Sequence, residues 1–325
     1  MDEDIDPCSL EIIKPEEKII INKQKYNIKS IYRWVIYLKN VKDPLRNDVT
    51  DDDRQRIVNT YNNLPLSEDE IKCITDHLLN NKVNYESLSL RLRSNREVTL
   101  IAVKKLGSYL AFVPEKFRDD KEIVLTAVSK WGLSLENVSN NLKNDPEIAL
   151  AAVKNTVFAL RFITNNIKNY KEIAMYAVKK DGYALKLISK DLQNDYKTVL
   201  AAVKNSSNSL RFASENLKNN FKIVYTAVSK DPSALKYASD NLKDNYKIVF
   251  AAVKKSGAAL KYASENLRDN FHITITAVSR CGSSLRYVSS NLKDNFEIVL
   301  AAFKKSKSFL KYASPKQKKN FRNKL

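Results

Sequence analysis

Only two histidines, three cysteines and five glycines occur in the 325 residues of this chain, and each scarcity closes off a class of chemistry. His77 and His272 are too few for a metal centre or a nucleophilic triad, and His272 reads as a solvated position. Cys8, Cys73 and Cys281 are too scattered to pair or to form a metal-binding spacing, which fits a reducing intracellular compartment. Five glycines leave no Gly-rich phosphate loop, and with eight prolines they argue against a loop-rich β protein or a disordered one. No apolar run approaches the length that spans a bilayer, and the acidic start MDEDID is not a signal peptide. The run Asp51–Asp53 directly precedes a helical pattern, so it reads as solvated helix-start residues instead of a Mg²⁺ site. No cofactor and no metal are expected.

Basic charge and repetition are what the chain has in quantity. Residues 1–70 hold 11 Lys/Arg against 15 Asp/Glu, whereas residues 71–325 hold 45 against 22. The acidic head and the strongly basic remainder therefore read as two domains, 1–70 and 71–325. Within the second, FKIVYTAVSKDPSALKYASDNLKDN (221–245) is followed without a gap by YKIVFAAVKKSGAALKYASENLRDN (246–270). Related segments start at residues 96, 121, 146, 171, 196, 271 and 296, and a worn copy starts at 71. A period of this kind decides the architecture. TAVS at 126, 226 and 276 alternates with AAVK at 151, 201 and 251, which points to a building block of two units.

Numbering each unit 1 to 25, with Tyr246 as position 1, places apolar residues at 3, 4, 5, 7 and 8 (Ile248, Val249, Phe250, Ala252, Val253) and at 15, 18 and 22 (Leu260, Ala263, Leu267). Spacings of three and four mark helices, and nothing alternates with period two. Small or turn-forming residues at positions 10 to 13 predict a tight turn. Asn220, Asn245, Asn270 and Asn295 at position 25 are suited to capping the helix that follows. Each unit thus reads as a short helix, a turn and a second short helix. Neither helix is stable alone in water, and stacked units bury one another's apolar stripes. The fold class expected is mainly α: an α-solenoid of about ten helix-turn-helix units behind a small α+β head. The last unit runs out into SPKQKKNFRNKL.

The recurring phrase N-D-x-E-I-V-L-A-A-V-K-x-x-G-x-A-L-x-Y-A-S-x-x-L-K-N-D resembles a helical repeat family of giant amoebal, mimivirus-like viruses that is catalogued as a domain of unknown function. The resemblance implies a viral origin and the repeat fold, with a location in the host cytoplasm or the virion. It implies no activity.

In the head, EKIIINKQKYNI (17–28) reads as two strands around the polar turn NKQK (22–25), KSIYRWVIYL (29–38) as a helix, KDPLRNDVTDDD (42–53) as a loop and DRQRIVNTYNNL as the start of another helix. That order, with DPCSLEIIK at 6–14 and DPLRNDVT at 43–50, resembles a U-box, although Asp6 stands where that family has its first cysteine. The resemblance implies recruitment of a ubiquitin-conjugating enzyme through Cys8 or Leu10, Trp34 and Pro44.

Two basic ladders run through the repeats. Position 16 carries Arg161, Lys186, Arg211, Lys236, Lys261, Arg286 and Lys311, beside Phe162, Phe212, Tyr237, Tyr262, Tyr287 and Tyr312 at position 17. Position 23 carries Arg118, Lys143, Lys168, Lys218, Lys243, Arg268 and Lys293. Acidic residues at position 20 (Glu215, Asp240, Glu265) and position 24 (Asp244, Asp269, Asp294) are placed to neutralise them. Three readings follow. The first is a non-enzymatic scaffold whose basic solenoid holds an acidic protein partner. The second is a ubiquitin ligase component, with the head recruiting a conjugating enzyme and the repeats recruiting substrate. The third is a nucleic-acid-binding solenoid with phosphates on the cations and bases on the rings.

Overall fold

The computed structural model describes residues 18–21, 24–27, 29, 49–164, 166–167 and 169–322. The described chain is mainly helical, and it divides into two compact units, Met1–Ser139 and Asn140–Leu325.

In the first unit, β1 (Lys18–Ile21) and β2 (Gln24–Asn27) form an antiparallel hairpin with register Lys18↔Asn27 to Ile21↔Gln24. Gln24 and Lys25, expected in the turn, therefore belong to the second strand. The helix expected over 29–38 and the candidate enzyme contacts Cys8, Leu10, Trp34 and Pro44 lie outside the described residues, Lys29 excepted. Helix α1 (Asp51–Asn63) begins earlier than expected, because the Thr50 hydroxyl accepts from the Asp53 amide and the Asp53 carboxylate accepts from the Thr50 amide. Asp51–Asp53 thus occupy its first turn, where the helix dipole favours carboxylates.

Helix α2 (Glu68–Leu79), capped in the same way by Ser67 and Glu70, opens the worn first repeat. Arg91, nearly fully buried, ties that repeat to the chain before it. Its guanidinium donates to the Leu64 and Pro65 carbonyls, both at 2.9 Å, and to Glu70 at 3.0 and 3.2 Å. It also lies over the Tyr61 ring. Burial pushes the Glu70 carboxyl up, but Arg91 and the Ser67 amide outweigh it and hold it below its ordinary 4.5.

The 25-residue unit differs from helix-turn-helix in a specific way. The repeat from 246 has a ten-residue α-helix (Tyr246–Lys255), a six-residue 3₁₀ stretch (Gly257–Tyr262) and a single α-turn (Glu265–Arg268). The same three pieces recur from 196, 221 and 271, the last with a 3₁₀ turn in place of the α-turn. The spacing of three from Leu260 to Ala263 is the 3₁₀ period, in which the Ala263 amide bonds the Leu260 carbonyl at 3.1 Å. Positions 3, 4, 7, 8, 14, 15, 18 and 22 make the core: Ile248, Val249, Ala252, Val253, Ala259, Leu260, Ala263 and Leu267 are all buried. Each fully buried Ile, Val or Leu contributes about 1.5–3 kcal/mol. Position 5 is a correction to the expected core. It lies off the stripe formed by 3, 4, 7 and 8, and Tyr225 is 43% exposed there.

The position-25 caps are as expected, with Asn220, Asn245, Asn270 and Asn295 accepting from the amide three residues on. The end of the array is also corrected. Residues Pro315–Arg322 form a helix whose Phe321 is buried against Phe296 and Phe303, closing the last repeat's open face.

Candidate interaction surface

Successive repeats of the second unit are joined at position 19. Ser239 donates its hydroxyl to Asn219 at 2.6 Å, its amide donates to the Lys218 carbonyl at 3.0 Å, and the same oxygen caps the single α-turn by accepting from the Leu242 amide. Ser214, Ser264, Ser289 and Ser314 repeat this clasp on Asn194, Asp244, Asp269 and Asp294. The position-24 acids are therefore bound to serines. Among the described residues none of Asp244, Asp269 and Asp294 forms the ion pair expected with a cation of either ladder.

A third set of cations, at position 10, is structural. Lys255 donates to the Ser229 and Lys230 carbonyls at 2.8 Å, and Lys230 reaches the Lys204 and Asn205 carbonyls in the same way. These ammonium groups cap the C-terminus of the preceding helix, where carbonyls lack partners and the dipole is negative.

The two predicted ladders separate sharply. At position 23, Lys218 pairs with Glu215 at 2.7 Å, Lys243 with Asp240 at 3.0 Å and Arg268 with Glu265 at 3.6 Å. Exposed i,i+3 pairs contribute little stability, but they cancel the charge of these three cations. Arg118 instead donates to the Val113 and Ala111 carbonyls. Lys168 lies outside the described residues.

At position 16, Arg161, Lys186, Arg211, Lys236, Lys261, Arg286 and Lys311 are all exposed, and none is in an ion pair among the described residues. Each except Lys186 instead lies over the ring that follows it, at 5.6 Å for Arg161 on Phe162, 4.3 Å for Arg211 on Phe212 and 4.6 Å for Lys236 on Tyr237. Lys261, Arg286 and Lys311 do the same on Tyr262, Tyr287 and Tyr312. The row is continuous between repeats. Lys236, and from the repeat before it Arg211, hold the Tyr237 phenol below its usual range, while Tyr237 raises Lys236. Arg286 is raised by Tyr287 and also by Tyr312 of the next repeat. Cation–π contact fixes long side chains in place without removing their charge.

Among the described residues there is no group of three or more His, Cys, Asp or Glu placed to hold a metal, and no helix is long and apolar enough to cross a membrane. Cys73 and His77 stand one turn apart on exposed α2, with the His77 Nδ1 2.7 Å from the Cys73 carbonyl. A hollow of about 530 Å³ between two repeats is lined by Glu265, Asn266, Arg268, Asp269, Ser289 and Asn291, whose acids are taken up by Arg268 and Ser289.

Tandem helical units joined by repeated backbone and side-chain clasps, with surface chemistry in rows, define a helical-repeat protein. The family described as Domain of unknown function (DUF4116) matches residues 120–168, 170–218, 220–268 and 270–318, and the chain belongs to that family. The matched units span two 25-residue repeats each, in agreement with the TAVS/AAVK alternation. No curated protein and no solved structure matched the chain.

Proposed function

We propose that the chain is a non-enzymatic repeat scaffold for protein–protein interaction, of viral origin, in which the row from Arg161 to Lys311 binds an acidic segment of a partner protein. The observation that carries this reading is the contrast between the ladders. In one, Lys218, Lys243 and Arg268 are cancelled by acids at position 20, and the other keeps its charge while being braced on aromatic rings. Charged heads held in place lose less entropy on binding carboxylates than free ones do. Base stacking on the position-17 rings is disfavoured, because the cations already cover those rings. The test is binding of a fluorescein-labelled polyglutamate peptide. Affinity is expected to fall steeply with salt and to be lost when Arg211, Lys236, Lys261 and Arg286 are all changed to Glu. Retention of binding in that variant would refute the reading.

The U-box resemblance of residues 1–70 carries a second reading, a ubiquitin ligase component, supported by the β1–β2 hairpin. Autoubiquitination that disappears with Pro44→Ala would bear it out.

A further inference from the structure

The helices Tyr196–Asn205, Phe221–Lys230, Tyr246–Lys255 and Phe271–Arg280 contain no Asp or Glu. The corresponding helices on either side carry Glu97, Glu122, Glu147, Glu172 or Glu297 in the first turn. In three of the four acid-free helices that position is Lys (Lys197, Lys222, Lys247), and in the fourth it is His272. A cation in the first turn opposes the helix dipole, so this choice works against stability.

The same boundary appears at two more positions. Position 1 is Arg96, Lys121, Pro146 and Lys171 in the earlier repeats, then Tyr196, Phe221, Tyr246 and Phe271. Position 25 is Asp120, Asp145, Tyr170 and Asp195 in those earlier repeats, then Asn220, Asn245 and Asn270. In two of the earlier repeats positions 1 and 25 pair, Arg96 with Asp120 at 2.8 Å and Lys171 with Asp195 at 3.0 Å. From residue 196 the pair is replaced by a ring and an amide.

The rings are available. Tyr196, Phe221, Tyr225 and Tyr246 are 36–44% exposed. Phe221 and Tyr225 stack at 5.7 Å with 13° between planes, and Tyr246 and Phe250 at 5.7 Å with 7°. Two grooves on this helical surface are lined without any acidic residue. One of about 440 Å³ holds Lys179, Lys197, Leu200, Ala201 and Lys204 with Asn205, and one of about 380 Å³ holds Lys254, Ile275, Thr276, Ser279 and Arg280.

We propose that these four helices form a binding face for single-stranded nucleic acid, with Lys197, Lys222, Lys247 and Lys254 on phosphates and the Tyr196, Phe221, Tyr225 and Tyr246 rings stacked on bases. Cations next to partly exposed rings, recurring in the repeats from 196, 221 and 246, are what a stacking platform requires. An acidic peptide would engage the lysines but give the exposed rings no stacking partner. A duplex keeps its base faces stacked inside, out of reach of the rings. The face is built from positions 1, 2, 5 and 9 of the α-helices, whereas the Arg161–Lys311 row is built from the 3₁₀ stretches, so the two proposals stand separately.

The test is fluorescence anisotropy of the full chain with labelled oligothymidylate, a duplex of equal length and polyglutamate. The variant Phe221→Ala/Tyr246→Ala leaves every charge in place. It is expected to weaken oligothymidylate binding by about tenfold or more and to leave duplex and polyglutamate binding unchanged. The variant Lys197→Glu/Lys222→Glu/Lys247→Glu restores the residue found in the other repeats. It is expected to raise the melting temperature while abolishing oligothymidylate binding. Oligothymidylate binding no tighter than duplex, or indifferent to the loss of the rings, would overturn the proposal. Polyglutamate affinity that falls with the ring variant would overturn it in favour of a protein-binding face.

Discussion

Ser239 bonds Asn219 of the preceding repeat at 2.6 Å while the same oxygen caps the helical turn that follows. One hydroxyl therefore serves both the fold of its own repeat and the junction to its neighbour. Ser239→Ala is expected to destabilise the second unit by about 1–2 kcal/mol, the loss of a cap and a side-chain hydrogen bond together. Ser239→Thr is expected to cost far less, since Thr164 already makes this bond to Asn144. Urea titrations of the two variants check both.

Gly257 has no left-handed backbone to protect, yet a Cβ there would overlap the Ala277 carbonyl and crowd Cys281. Gly257→Ala is expected to destabilise by about 1–3 kcal/mol through overpacking. An argument from unfolded-state entropy alone gives the opposite sign, so a thermal melt decides between them.

The lysines fall into two kinds. Lys255→Ala removes a C-terminal helix cap and is expected to cost about 0.5–1 kcal/mol. Lys261→Ala, which removes a charge braced only on Tyr262, is expected to stay within about 0.5 kcal/mol of the parent while weakening polyglutamate binding. Denaturation and anisotropy measured on the same samples separate stability from binding.

Glu70, Asp120, Asp195 and Asp294 are all held below their ordinary values. For Asp120 the first cause is Arg96, for Asp294 the Ser314 hydroxyl; for Asp195 burial acts upward but is outweighed by Thr198 and Lys171. A carboxyl with a depressed folded pKa contributes stability that is complete above its unfolded value and is lost as pH falls through the folded one. Unfolding free energy is therefore expected to be flat near neutrality and to fall below about pH 4.5. Arg91→Met removes the buried partner of Glu70. It is expected to cost about 3–5 kcal/mol at neutral pH and to flatten the acid dependence of the first unit.

Much of the architecture was legible in the residues. Exact spacing without insertions gave the repeat, apolar spacing gave the ten-residue helices, and Asn at position 25 gave their caps. The second half of the unit was less legible. Six residues of 3₁₀ helix and one α-turn leave the same three-and-four spacing as a short α-helix, so only backbone hydrogen bonds separate them. Position 5 looks like core because Phe250 is apolar, although its angle on the helix lies off the buried stripe and leaves Phe250 half-buried and Tyr225 exposed. The division of the basic ladders lay beyond the sequence, because Asp240 is four residues from Lys236 and three from Lys243 and only geometry shows which it pairs with. The acid-free helices were visible in the sequence all along. The missing signal was a comparison of the same position across repeats.

The central claim, that the Arg161–Lys311 row and not the paired ladder carries the partner, is tested most directly by zero-length carbodiimide cross-linking of polyglutamate to the full chain, followed by peptide mass spectrometry. Cross-links at Lys236, Lys261 and Lys311 are expected, with the ion-paired Lys218 and Lys243 silent. Cross-links concentrated on the latter two, or spread evenly over both sets, would contradict it.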